Sequence, residues 1–181
     1  MRAITCVLVL LLWLQGCAVP VEVDYDTHRD FSQLKDYAWL PFSVEQQRQD
    51  PVLYNTLTDK RMRQSIDRVL AAKGFRCVNV SEADFLLTYH LKVEQKLESD
   101  RFGYGFGYGW DRYGVMAGTG RDIYQYEEER VLVDVLDARS RELLWRGGVS
   151  EELDRYASPR EREGRVLRQV HEILTQFPPP R

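Results

Sequence analysis

The chain is poor in cysteine, in histidine and in long apolar runs, and each shortage removes a class of protein. Its 181 residues include three cysteines and three histidines. Cys6 and Cys17 belong to an N-terminal leader and its boundary, so Cys77 is the one thiol left for a mature domain, and no intrachain disulfide can staple it. Basic residues are not in excess. Loss of a 16-residue leader removes only Arg2 and leaves 165 residues with 24 basic and 28 acidic side chains. That net charge of −4 argues against a nucleic-acid binder, which would show a basic stripe. With 44% hydrophobic and 29% charged residues the chain is not disordered, and its length suits one domain with a sizeable core.

The longest apolar run, residues 3–14 behind Arg2, rises about 18 Å as a helix, well short of the ~30 Å hydrocarbon core. It reads as the hydrophobic region of a signal peptide over residues 1–16. Leu14-Gln15-Gly16-Cys17 then resembles a bacterial lipobox, with Leu14 and Gly16 as the recognition positions and Cys17 as the thiol to be alkylated by diacylglycerol. Several acyl chains at ~0.8 kcal/mol per buried CH₂ would hold a protein durably on a membrane. Ala18 stands where an inner-membrane retention signal would carry Asp, so the resemblance implies outer-membrane sorting, facing the periplasm, in a Gram-negative cell. Residues 17–20 form a tether that reaches on the order of 15 Å, which would keep the domain close to the bilayer.

From residue 21 to 180 the hydropathy pattern predicts a single α+β domain, a two-layer sandwich of a mostly antiparallel sheet with two helices on its apolar face. Strands are expected over residues 21–27, 37–40, 75–80, 84–98, 123–136 and 142–153. Asp50-Pro51 predicts the start of the first helix and Lys73-Gly74 its end. Ser158-Pro159-Arg160-Glu161 forms a capping box for the second, and Pro178-Pro179-Pro180 stops it. Phe85, Leu87, Tyr89, Leu91, Val93 and Leu97 alternate with Leu86, Thr88, His90, Lys92, Glu94 and Lys96, so one face of that strand is polar. On the return strand Leu143, Trp145 and Val149 are expected on one face, and Cys77 is expected as a small buried hydrophobe.

The order of several short pieces resembles the lipoprotein family called domain of unknown function 4136. They are Asp50-Pro51, Lys73-Gly74-Phe75, the run from Ala83 to His90, Leu132 to Asp137, Leu144-Trp145-Arg146-Gly147 and Phe177-Pro178-Pro179. The resemblance runs from about residue 21 to 180 and implies an envelope lipoprotein, with no catalytic residues attached. Glu129-Arg130 departs from the Gly-Thr the family tends to place there.

Candidate chemistry is sparse. Residues 99–121 form a Gly/aromatic insertion in which Phe102, Tyr104, Phe106, Tyr108 and Trp110 alternate with glycines. No Gly-x-Gly-x-x-Gly register occurs in it, which excludes a dinucleotide loop. The readings are a passive connector, a sticky tip whose rings contact an envelope protein, peptidoglycan or lipid headgroups, and self-association through an exposed aromatic edge. Asp24, Asp26, His28 and Asp30 would lie on one strand face, but same-face neighbours sit ~6.8 Å apart, too far for three to share an ion. No metal or other cofactor is expected. His90 and His171 have no nucleophile beside them in sequence, and Gly-x-Ser-x-Gly and His-Glu-x-x-His are both missing. Glu127-Glu128-Glu129-Arg130 reads as a solvated rim, and Lys60, Arg61, Arg63 and Arg68 as a charged outer helix face with anionic headgroups as the alternative. The expectation is a non-enzymatic, lipid-anchored binding or assembly module, held to the membrane by its N-terminal lipid. The alternatives are a periplasmic enzyme acting on envelope glycan or lipid, and a carrier of a small apolar ligand.

Overall fold

A computed structural model describes residues 20–40, 55–99 and 123–180. Leu14, Gly16, Cys17, Asp50, Pro51 and the ring-bearing positions Phe102, Tyr104, Phe106, Tyr108 and Trp110 lie outside the described residues. The strands are β1 (Glu22–Tyr25), β2 (Asp36–Trp39), β3 (Arg76–Cys77), β4 (Phe85–Ser99), β5 (Ile123–Asp137) and β6 (Leu143–Glu152). Helix α1 (Thr56–Ala72) joins β2 to β3, α2 (Pro159–Thr175) closes the chain, and a single 3-10 turn spans Phe31–Gln33.

The six strands form one mixed sheet in the order β1-β6-β5-β4-β2-β3. The pairings β1–β6, β6–β5 and β5–β4 are antiparallel. Those of β2 with β4 and with β3 are parallel. The fold is therefore α+β, with both helices on one face. Asp84 fixes the parallel join: its Oδ2 accepts from the backbone N–H of Lys35 at 2.9 Å and of Asp36 at 3.0 Å.

Each helix forms for local reasons. In α1, Met62, Ile66, Val69 and Leu70 recur at helical spacing; Met62, Ile66 and Leu70 are buried and Val69 partly so. Asn55 is its N-cap, accepting from the N–H groups of Leu57 and Thr58 at 3.0 Å each, so the described helix starts after the expected Asp50-Pro51. Gly74, at φ +90°, ends it in a conformation that side chains rarely adopt. The Ser158 capping box opens α2 as expected.

The core is organised around Phe177. Its ring lies 5.2 Å from that of Trp145, 5.5 Å from Phe75 and 5.8 Å from Phe85, centroid to centroid. Phe75, Phe85, Trp145 and Phe177, which belong to four of the pieces that carried the family resemblance, thus meet in one aromatic cluster. Gly147 belongs to it, because a Cβ there would sit 2.3 Å from Trp145 Cη2 and 2.9 Å from Ile173 Cγ2. Only glycine lets the indole lie across β6 beneath α2.

Several expectations are corrected. A register shift at Val135/Leu136 pairs Leu136 with Leu143 and Val135 with Trp145, so β6 bulges. Leu144 turns into the core, while Leu143 is 42% exposed instead of sharing the face of Trp145. The strand expected over residues 75–80 shortens to the edge pair Arg76–Cys77, and Cys77 is exposed rather than buried. Glu129 is not part of a solvated rim: it is 8% exposed, on the helix-covered face.

Candidate functional site

One end of the sheet gathers most of the features that could meet another molecule. The β4–β5 hairpin is paired from Phe85↔Asp137 to Ser99↔Ile123, yet β6 follows β5 only as far as Glu128↔Glu152. Residues 123–127 therefore extend past the last β6 pair by about 17 Å as a two-stranded arm. Beyond it lies the Gly/aromatic segment of the sequence. Strand β1 begins with Glu22 opposite Gly148 and ends with Tyr25 opposite Trp145, antiparallel to β6. The chain thus enters β1 from the end towards which the arm extends.

At that same end, beside the base of the arm, a small notch of about 50 Å³ opens between the helices and the end of β6. Thr58 and Arg61 of α1 line it, with Arg162, Arg165 and Val166 of α2, and Leu153, Asp154 and Arg155 after β6; Glu129 reaches in from β5. Arg155 is committed to Glu127 through a forked ion pair. Arg162 donates to the backbone carbonyls of Ala157 and Arg155, both at 2.9 Å. Burial pushes the Glu129 carboxyl above the ordinary range; the Arg165 charge and, less, a bond to Gln169 pull it down without reversing that, and Glu151 adds to the rise.

The open face of the sheet holds a second cluster. Arg146 forks onto Asp134 with two bonds of 2.6 Å, and His90 Nε2 lies 3.3 Å from Asp134 Oδ2. Burial alone would raise the Asp134 carboxyl, but the Arg146 and His90 bonds hold it below the usual range. The sequence placed His90 on a polar face but could not reveal this partner, which sits across the strand pair near Leu132. His171 is exposed on α2.

The acidic pattern near the N-terminus does not assemble. β1 stops at Tyr25, so Asp26 turns back to accept from His28 N–H at 2.9 Å and Asp30 caps the 3-10 turn through Ser32. Among the described residues no group of three His, Cys, Asp or Glu side chains is placed to hold a metal ion. The cationic face expected on α1 is also divided. Lys60 and Arg68 are exposed, Arg61 lines the notch, and Arg63 turns inward, 4.5 Å above the Trp39 ring and paired to Asp59 at 2.9 Å. Sequence reasoning missed the inward network in which Asp67 accepts from Tyr37 and Trp39, at 2.7 and 2.9 Å, and Asp59 accepts from Tyr89. The spacing of Asp59, Arg63 and Asp67, four residues apart on one helix face, is the signal that could have found it. Cys77, although exposed at its surface, borders this network, where local desolvation and the Asp67 charge raise its thiol.

Comparison with known proteins adds a family and a fold. A PDZ domain protein from Parabacteroides distasonis is similar at 12% identity and TM-score 0.55, covering 90% of this chain. This chain spans only 36% of that protein, and the likeness is one of fold. A PelC dodecamer from Paraburkholderia phytofirmans is similar at 10% identity and TM-score 0.48, over 86% of this chain and 94% of that one. A DUF4136 family protein from Bacteroides thetaiotaomicron shows 12% identity and TM-score 0.49, over 89% and 96% of the two chains. No curated protein matches. The family described as Domain of unknown function (DUF4136) matches residues 21–179, and the chain belongs to that family.

Proposed function

We propose that the protein is a lipid-anchored envelope protein, held by acylated Cys17 and, in a Gram-negative cell, sorted to the periplasmic face of the outer membrane. Its domain acts there as a non-enzymatic binding or assembly module, with the Gly/aromatic loop as its contact element. The observation that carries this reading is direction. The chain enters β1 from the end of the sheet towards which the β4–β5 arm extends. A four-residue tether reaching on the order of 15 Å would bring that end to the bilayer, and an arm extending about 17 Å would meet the same surface. Aromatic rings between glycines suit the interfacial zone of a membrane or a protein lying on it.

Intact-mass analysis of the mature N-terminus tests the anchor, and a thioether-linked diacylglycerol on Cys17 is the expected result. An unmodified sulfhydryl, or an uncut precursor in the cytosol, removes the reading. Replacing Phe102, Tyr104, Phe106, Tyr108 and Trp110 by Ser tests the contact element. Crosslinks formed in cells from this loop should disappear while Cys17 stays acylated; unchanged crosslinks would make the loop a passive connector.

A further inference from the structure

We propose that the notch between α1, α2 and the end of β6 is a binding site for a phosphate group, supplied on a membrane-anchored chain by an anionic phospholipid headgroup. Only the headgroup as source rests on the anchored reading above; the site itself rests on the geometry of the notch. Three arginines, Arg61, Arg162 and Arg165, line it from two helices; Arg162 also holds the Ala157 and Arg155 carbonyls, and Arg165 donates to the Asp154 carbonyl at 3.4 Å while its charge acts on Glu129. Among the described residues no ion pair joins any of the three to a carboxylate, whereas Arg29, Arg63, Arg76, Arg130, Arg146, Arg155 and Arg168 each have one. Arg68, Arg139, Arg141 and Arg160 also have none among the described residues, so what sets the notch apart is that three such arginines, from two helices, line one concavity.

The size fits. One water occupies roughly 10–15 Å³ by this measure, so about 50 Å³ accommodates a group with the bulk of a tetrahedral oxyanion. The chemistry fits too. Guanidinium forks match phosphate oxygens, Thr58 adds a hydroxyl at the rim, and the apolar walls of Leu153 and Val166 reduce screening by water. The two carboxylates in the lining weaken an anion less than their count suggests. Asp154 accepts from the Tyr156 N–H at 2.8 Å, and Glu129 is buried where its charged form is disfavoured. The notch also lies at the end from which β1 is entered, where an anchored chain would meet headgroups.

The test uses the full acylated chain. In neutral detergent, calorimetric titration with inorganic phosphate should show saturable binding that weakens roughly tenfold or more in Arg61→Gln/Arg165→Gln, as loss of charge-assisted bonds implies. Arg61→Lys should retain part of the affinity, and circular dichroism checks that each variant is folded. No saturable uptake, or equal uptake by the folded double variant, overturns the site. In vesicles, modification of Arg61 and Arg165 by phenylglyoxal is then read by peptide mass spectrometry. Phosphatidylglycerol mixed into phosphatidylcholine should protect both arginines more than phosphatidylcholine alone. Equal modification in the two vesicles, with phosphate still bound in detergent, overturns the headgroup as source and assigns the notch to free phosphate. An unacylated Cys17 would leave the detergent titration readable, so failure of the anchor and failure of the notch are separate results.

Discussion

Strand β5 buries two carboxylates, Glu129 on the helix-covered face and Asp134 on the open one, and their surroundings push them in opposite directions. Asp134 is 4% exposed and Glu129 is 8% exposed, so burial alone does not separate them. Partners do. Asp134 receives a two-pronged Arg146 contact and His90, which outweigh the cost of burial and lower its carboxyl. Glu129 has the Arg165 charge and the Gln169 amide, with Glu151 directly opposite on β6, and burial prevails. The open face therefore holds its charge in a committed pair. The covered face tolerates an acid at the margin of its apolar core, beside the arginine notch.

The largest effect that sharpens this contrast lies on the covered face. Trp145→Ala removes an indole with no exposed surface and takes the Phe177 ring's nearest aromatic neighbour away. A loss of about 3–5 kcal/mol in urea unfolding is expected. A loss below 1 kcal/mol would mean that the aromatic cluster does not hold the helix layer to the sheet.

Next comes the open face. Asp134→Asn keeps the shape but removes the charge that Arg146 and His90 share, and should cost about 1–3 kcal/mol at neutral pH. Its pH signature is specific. A carboxyl lowered in the folded state stabilises above its unfolded value of 3.8, and that stability is lost as pH falls through the folded value. The unfolding midpoint of Asp134→Asn should therefore fall less steeply below pH 3.8 than that of the parent. Parallel acid limbs in the two proteins would break the contrast between the faces.

How much of this was legible in the sequence follows the range of the interactions. The α2 capping box and the alternation along β4 are local, and both were readable from residues a few positions apart. The parallel insertion of β2 beside β4 depends on Asp84 reaching back to Lys35 and Asp36, a contact that periodicity does not encode. The β6 bulge shifts the facing of every residue on one side of it, so a strict two-residue period misplaced Leu143 and hid Leu144. Glu129 stands in an acidic run, which by itself reads as solvated. Its burial is decided by where α2 crosses the sheet, through Gln169 and Arg165. The notch was invisible for the same reason, since its arginines come from helices that only packing brings together.

Glu129→Gln gives the smallest effect and the sharpest sign. Its folded carboxyl titrates above the unfolded value of 4.5, so the stability that its neutral form confers is complete below that value and is lost as pH rises through the folded one. At neutral pH the ionised acid is a cost, whereas a glutamine keeps the shape and can still bond to Gln169. The substitution should raise stability at pH 7 and have little effect below the unfolded value. Urea midpoints across acid and neutral pH measure this directly. A destabilised Glu129→Gln at pH 7 would mean that the Arg165 charge already compensates the acid, leaving the two faces alike.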